Sequence, residues 1–598
     1  MIHSFINKYF KNFLFFYKRM GNRVFVMVVL TVGVGLMDGM GLTMFLPLFD
    51  IAAGTEESAK EVSTNGQNPN SIVETLHIPV TLINILGLMV VFYLIKGAIQ
   101  FVKMKYETDT GRFFMLKTRK RLIATFSEVQ YKYFVTANVG RIQNIMTGEL
   151  AVIYNAFVQY INMMQQVVMV LVYMSFAIWM NAQFAILISV GGLIFNFLFK
   201  EIYRITKESS RLRVTAANSY QGLIIQFVNN FKYLKATGLL HLYGSKVDQN
   251  IEDIEKENRK MGYMGAIAGA LREPILIIIV CAVILLQINV LGGSLATILV
   301  SLLFFYRALT AVTFLQLSYN RFNAMIGSLE NVEWFEQELS KYKELPTGNI
   351  EMGFLSEGLE LRNVQFSYGK EIILKNIDLT IPAFKTVAFV GESGSGKTTL
   401  VNVISGLLPI DSGKFSIDGV PFKEIKLKSF QTIIGYISQD PTIFNDTIYN
   451  NVTLWSAKSQ ENINRFEYAI QKAQILNYVN ELPDKGETLL GNNGINVSGG
   501  QKQRISIARE LFKKVQILIF DEATSALDSE TEKEIQSNID ALKGQITIIM
   551  IAHRLSTIKN VDEIVLMNKG EIIDKAPFEI LKKRASGFKR MVELQEIG

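Results

Sequence analysis

Eight residues, GESGSGKT at 391–398, carry the most explicit chemistry in the chain. Gly391, Gly394 and Gly396, with Glu392, Ser393 and Ser395 between them, have the G-x-x-x-x-G-K-[ST] spacing that closes backbone N–H groups around a polyphosphate at a helix N-terminus. Lys397 reaches the outer phosphates, the Thr398 hydroxyl is a magnesium ligand, and Thr399 follows in the same turn. The context agrees: the β-rich run TVAFV (386–390) precedes the loop and TTLVNVISGLL (398–408) reads as a helix. Downstream, ILIFDE at 517–522 ends a buried-strand pattern on two carboxylates. Asp521 is placed to hold magnesium directly or through water, and Glu522 points elsewhere, suited to take a proton from an attacking water. Between these motifs lies VSGGQ (497–501), which contains Ser498, Gly499, Gly500 and Gln501 and runs into the helical pattern KQRISIARELF.

The elements that must position these groups form one half of a divided chain. Short β-rich runs at 386–390, 516–521 and 546–552 alternate with helical patterns, the signature of a mostly parallel α/β sheet. They follow a Pro- and Gly-punctuated stretch at 341–358, so the expected organisation is a membrane domain over 1–345 and a nucleotide-binding domain over 346–598. Of 598 residues, 49% are hydrophobic and 19% charged, a balance that combines membrane spans with soluble mass. Six apolar segments, near 24–50, 78–102, 151–180, 183–203, 263–288 and 292–318, are each long enough to cross a bilayer. The net charge of +7 lies beside these runs, at loops 103–150 and 200–262, which by the positive-inside tendency are cytoplasmic together with both termini. Basic residues so distributed serve topology and lipid headgroups, not nucleic acid. The one cysteine, Cys281, lies in an apolar run, so neither an internal disulfide nor a Cys-based zinc site is expected.

Taken together and in order, these motifs resemble the ATP-binding cassette family. The resemblance implies a fold of six-helix, exporter-type all-α membrane domain followed by an α/β P-loop NTPase domain of ABC type, an ATPase that drives transport with ATP and magnesium. It implies that Tyr368 in FSYG stacks on adenine, Gln439 in YISQD senses magnesium and the attacking water, Glu522 is the general base and His553 in IAHR holds the γ-phosphate side. Asp528 in SALD contacts a partner domain, and the Ser498–Gly500 backbone completes the phosphate site of the opposite copy. One cassette therefore implies a dimer, and intact motifs favour a homodimer. Two departures stand out: Val497 replaces the usual Leu, and GNNG at 491–494 lacks the glutamate often found before the signature. The stretches 139–150 and 218–226 are the expected coupling segments.

Three cations interrupt apolar spans: Lys96, Arg272 and Arg307. An ionisable residue in a span is a functional-site hypothesis, and cations converging on one cavity suit a phosphate or pyrophosphate headgroup. Alternatives stay open: Lys96 snorkels to the interface, Arg272 pairs with Glu273, or Arg307 pairs with Asp38. With NNFKYLK (229–235) and FYRAL (305–309), the three positions resemble bacterial lipid-linked oligosaccharide flippases, which implies a polyprenyl-pyrophosphate glycan as substrate and the inner membrane as location. A multidrug or lipid A exporter shares the same architecture. An ATP-gated channel or regulatory subunit is the rival of another class. A short external helix within 51–77 is a further expectation.

Overall fold

The computed structural model describes the backbone of residues 11–48, 81–344 and 348–596, apart from 46, 181, 290–294, 522–528 and 553–554; the external helix expected within 51–77 lies outside these. The chain divides into two compact units, one of residues 1–129 and 136–343, the other of residues 130–135 and 344–598.

The first unit is helical throughout: α1 (Lys11–Met20), α2 (Arg23–Thr43), α3 (Leu82–Ser127), α4 (Tyr131–Thr136, nearly all of it in the second unit), α5 (Val139–Asn144), α6 (Leu150–Met180), α7 (Ala182–Asn229), α8 (Phe231–Ala236), α9 (Leu240–Asn289), α10 (Leu295–Asn323) and α11 (Ile326–Lys341). Helices α3, α7 and α9 have 46, 48 and 50 residues. At 1.5 Å per residue each is about 70 Å long, more than twice the hydrocarbon thickness, so each runs well beyond a membrane. Among the described residues four helical stretches are long and apolar enough to span: Arg23–Thr43, Leu82–Ser127, Val139–Trp179 and Leu240–Ala282. The other two expected spans fall in α7 and α10, whose apolar ends include side chains outside the described set.

Close approach of these helices depends on glycine at few places. A Cβ on Gly39 of α2 would lie 2.2 Å from the Phe176 ring of α6, and one on Gly35 would lie 3.1 Å from Met169 Sδ, so this small-x-x-x-small stripe lets α6 lie against α2. Gly140 and Gly222 meet backbone to backbone, where a Cβ on Gly140 would lie 2.4 Å from the Gly222 Cα. Asn144 Nδ2 donates to Asn218 Oδ1 at 2.7 Å nearby. The two stretches expected to couple thus pack on each other within the first unit, and the segment that joins the second unit is 130–135, just upstream.

The second unit contains two sheets. Six strands in the order β10-β9-β3-β8-β7-β6 form the larger: β3 (Thr386–Val390), β6 (Ile434–Ile437), β7 (Ile517–Asp521), β8 (Thr547–Ile551), β9 (Glu563–Asn568) and β10 (Glu571–Ala576). All its pairings are parallel except the β9–β10 edge. Strands β3 and β8 are buried at every position, which is why both read as unbroken apolar runs. The smaller sheet, β2-β1-β4-β5, is antiparallel: β1 (Gly358–Tyr368), β2 (Glu371–Pro382), β4 (Ser412–Ile417) and β5 (Val420–Pro421). It shares a core with one face of the parallel sheet through Phe366, Leu374, Phe389, Leu400 and Phe415. This antiparallel layer is absent from the sequence-based expectation, because its solvent-facing positions dilute the apolar signal.

Candidate functional site

Four adjacent parallel strands end on the motif residues. The phosphate loop follows β3, Gln439 follows β6, Asp521 closes β7, and the IAHR segment follows β8, so the order β3-β8-β7-β6 brings them to one carboxyl edge of the sheet. Open α/β sheets bind ligands along this edge. Glu522, Asp528 and His553 lie outside the described residues, though the strands leading to Glu522 and His553 end at Asp521 and Ile551.

The loop itself is built by backbone. Gly394 and Gly396 have φ of 80° and 98°, the left-handed region that glycine enters without a Cβ clash. Gly396 caps α12 (Lys397–Ile404) in that conformation. A Cβ on Gly391 would lie 2.2 Å from the Met567 carbonyl, so the chain passes where only glycine fits. Lys397 is buried and its Nζ donates to the carbonyls of Gly391 and Glu392, both at 2.9 Å, which folds the lysine across the mouth of the loop. The Ser395 hydroxyl is buried without a hydrogen-bond partner, as a cradle for an external oxyanion would leave it. Thr398 is exposed in the first turn of α12.

Around the loop, Tyr368 ends β1 with its ring 4.9 Å from that of Phe366, edge to face. Burial first, then neighbouring Tyr131, push its phenol up from the ordinary value. Asp521 accepts a hydrogen bond from the Tyr436 hydroxyl at 3.0 Å; burial and then this carboxylate raise the Tyr436 pKa, so the phenol stays a neutral donor. Farther along the chain, beyond α13 (Ile448–Thr453), Ser498 caps α14 (Gly499–Phe512). Its Oγ accepts from Gln501 N at 3.3 Å and its N–H donates to Gln501 Oε1 at 2.8 Å. This capping box aims the first N–H groups of α14 outward from an exposed Ser498–Gly499 corner. Val497 is buried, and GNNG forms a 3-10 turn with Gly491 and Gly494 at φ of 72° and 63°.

Three residues that the motifs did not single out pack against the motif segments or their neighbours. Tyr436 orients Asp521. Arg509 is buried, donating from Nε to the Asn451 carbonyl at 2.7 Å and from Nη2 to Asn451 Oδ1 at 3.2 Å. Asn451 in turn brackets Phe444, accepting from its N–H at 2.9 Å and donating to its carbonyl at 3.0 Å, so the signature helix α14 is tied to the loop that leaves Gln439. The third is Lys132, whose Nζ lies 3.5 Å from Asp411 Oδ1 and 4.7 Å from the Phe366 ring centroid. Asp411 accepts from the Ser367 N–H at 2.7 Å, beside Tyr368. The sequence signal for Arg509 is a cation on the buried face of a helix, a position that demands partners; Lys132 carries none.

Within the membrane unit the three expected substrate cations behave differently. Lys96 on α3 is matched to Asp38 on α2, with Nζ 2.5 Å from Oδ1. Tyr173 on α6 donates to the other Asp38 oxygen at 2.5 Å. Asp38 therefore pairs with Lys96, which corrects the alternative of an Asp38–Arg307 pair: packing of α2 against α3 puts the lysine nearer. Arg307 is exposed on α10, close enough to act electrostatically on Tyr93 and Tyr173, and among the described residues it has no hydrogen-bonded or ion-paired partner. Arg272 lies in α9 with its side chain outside the described residues.

Comparison with known proteins matches residues 374–525 to the family described as ABC transporter. Over 427 residues, 70% of this chain and 71% of the other, it is 31% identical to the "ATP-dependent lipid A-core flippase" of Haemophilus influenzae (strain ATCC 51907 / DSM 11121 / KW20 / Rd). An alignment of that length does not fit within 346–598 and must enter the membrane unit. The chain belongs to the ABC transporter family. A second relative, from Haemophilus influenzae (strain 86-028NP), is 34% identical over 366 residues, an alignment that spans 61% of that protein's length. The fold is that of "Structure of a bacterial Atm1-family ABC exporter with ATP bound", with TM-score 0.78 at 20% identity over 97% of this chain and 98% of that one. As an ABC half-transporter of exporter type, the chain couples one membrane unit to one ATP-binding cassette and drives transport with ATP.

Proposed function

We propose that two copies of the chain form a flippase of the bacterial inner membrane, with both termini cytoplasmic, and that its cargo is a phosphorylated glycolipid of the lipid A class. The observation that carries this reading is the 31% identity to a lipid A-core flippase across a stretch that includes membrane helices. It favours the lipid A exporter over the polyprenyl-pyrophosphate glycan that Lys96, Arg272 and Arg307 suggest in sequence. Both cargoes join a hydrocarbon tail to phosphate, and an Arg307 with no ion pair among the described residues suits either headgroup.

In this reading Tyr368 stacks on adenine, the 391–399 loop holds the phosphates, and the Ser498–Gly500 corner of each copy closes on the nucleotide of the other, with Gln501 and Asp528 alongside. Glu522 takes the proton of the attacking water and His553 steadies the γ-phosphate. Thr398, Gln439 and Asp521 offer a hydroxyl, an amide oxygen and a carboxylate, the hard oxygen set that magnesium takes. Bound there, magnesium would neutralise charge on the phosphates. Tyr436 fixes the Asp521 carboxylate from behind.

The test is reconstitution of the full chain in proteoliposomes with a fluorescent lipid A. ATP-dependent movement of the probe between leaflets, lost in Glu522→Gln, is expected; ATP hydrolysis indifferent to lipid A but raised by hydrophobic drugs would overturn the cargo.

A further inference from the structure

Among the described residues of the membrane helices, Asp38 is a deeply enclosed charged group, its side chain 2% exposed against 21% for its partner Lys96. Its surroundings are built for it. Gly35 and Gly39 bring α6 against α2, close enough for the Tyr173 hydroxyl to reach one carboxylate oxygen. On the opposite side a Cβ on Gly41 would lie 3.0 Å from the Tyr93 ring, which brings α3 close enough for Lys96 to reach the other. The Lys96 ammonium also lies 5.1 Å from the Tyr93 ring centroid. Arg307 is exposed on α10, one turn from the buried Phe304, which stacks on Phe176 and shares a core with Tyr173 and Leu42. Lys96 takes the one carboxylate while Arg307 has no ion pair among the described residues, so the three charges sum to a single excess positive charge.

We infer that Asp38 is a specificity-determining residue: by holding Lys96 it sets the cluster at one surplus cation, and so sets how much negative charge the bundle accepts in a lipid headgroup near Arg307. The inference rests on the lipid-headgroup reading of the cargo and adds a regulator of that site. Lys96 is here the counter-ion of Asp38 and touches no lipid. Without Lys96, Asp38 turns its charge on Arg307. Without Asp38, two cations face the headgroup in place of one. Coulomb attraction at partly screened distances makes one charge worth a tenfold or larger change in affinity.

The experiment measures ATPase stimulation of the full chain in nanodiscs of phosphatidylcholine, titrated with phosphatidylglycerol as the singly charged probe and undecaprenyl pyrophosphate as the multiply charged one. Asp38→Asn is expected to shift the ratio of half-stimulating concentrations at least about fivefold toward the pyrophosphate. Lys96→Gln is expected to weaken stimulation by both probes about tenfold, and Lys96→Gln/Asp38→Asn to restore it, because the double variant returns the surplus to one. That rescue keeps the test decisive if Asp38→Asn alone fails to fold. A double variant as impaired as Lys96→Gln would mean that Lys96 binds the headgroup itself and would overturn the inference, as would an unchanged probe ratio in Asp38→Asn. Arg307→Gln separates the two readings: unaltered stimulation there removes the headgroup site, whereas its loss with an unchanged Asp38→Asn ratio removes only the role given to Asp38.

Discussion

The cassette and the membrane bundle each gather charged groups, and this chain builds the two regions by opposite means. In the cassette the cradle is backbone: Gly394 and Gly396 hold left-handed conformations that side chains rarely adopt, Gly391 passes where a Cβ would meet the Met567 carbonyl, and Lys397 is held by carbonyls five and six residues away. In the bundle the charge cluster is made of side chains whose partners are 58 and 135 residues apart. A backbone cradle is nearly independent of the rest of the chain. A side-chain cluster among helices has its electrostatics decided by whichever partner packing brings near, and a single carboxylate alters its net charge.

Substitutions that break the backbone side of this contrast have the largest expected effects. Glu522→Gln should lower turnover at least about a hundredfold while leaving ATP binding intact, measured as steady-state hydrolysis beside nucleotide retention. Gly391→Val should abolish nucleotide binding in a direct titration, since its Cβ would meet the Met567 carbonyl. Arg509→Leu sharpens the contrast from inside the cassette. It leaves the Asn451 carbonyl without its buried donor, a loss of about 1–3 kcal/mol read as a lower midpoint of thermal unfolding, and it should slow hydrolysis by loosening the loop that leaves Gln439. In the bundle, Gly39→Leu should destabilise by about 1–3 kcal/mol through overpacking against Phe176, with nucleotide affinity unchanged.

The smallest expected effect is a pH dependence. Asp418 is partly buried, which alone would raise its pKa, but the N–H groups of Gly358, Ser356 and Glu357 and the Ser356 hydroxyl hold it below the usual carboxylate range. A depressed folded-state pKa stabilises the protein above the unfolded value near 3.8, and that contribution fades as pH falls through the folded value. Asp418→Asn should therefore flatten the acid limb of the unfolding midpoint against pH, between about pH 5 and 3, by a small amount.

Legibility in the sequence follows the same division. The phosphate loop, the strand ending at Asp521 and the order of the motifs are readable because each occupies a few consecutive residues and its chemistry lies in local conformation. Four of the six expected apolar spans fall on described helices long and apolar enough to cross a membrane, and the length of α3, α7 and α9 follows from helical patterns that continue past the apolar runs. The antiparallel sheet is not readable, since its strands alternate and two of them are bulged or short. Nor are Tyr436 and Lys132, whose contacts are with residues far away in the chain; Arg509 shows only as a cation on the buried face of a helix, with its partner unnamed.

For Lys96 the sequence offers a cation in an apolar helix with more than one possible fate, and only packing chooses among them. The stripe of Gly35 and Gly39 permits α6 to come close, Gly41 does the same for α3, and Asp38 then becomes the common partner. By itself the sequence determined that the chain binds a nucleotide and crosses a membrane, because backbone geometry and hydropathy are properties of short segments. Which charges neutralise one another, and which one is left over, was decided by the tertiary structure, because Coulomb energy depends on distances that no local pattern encodes.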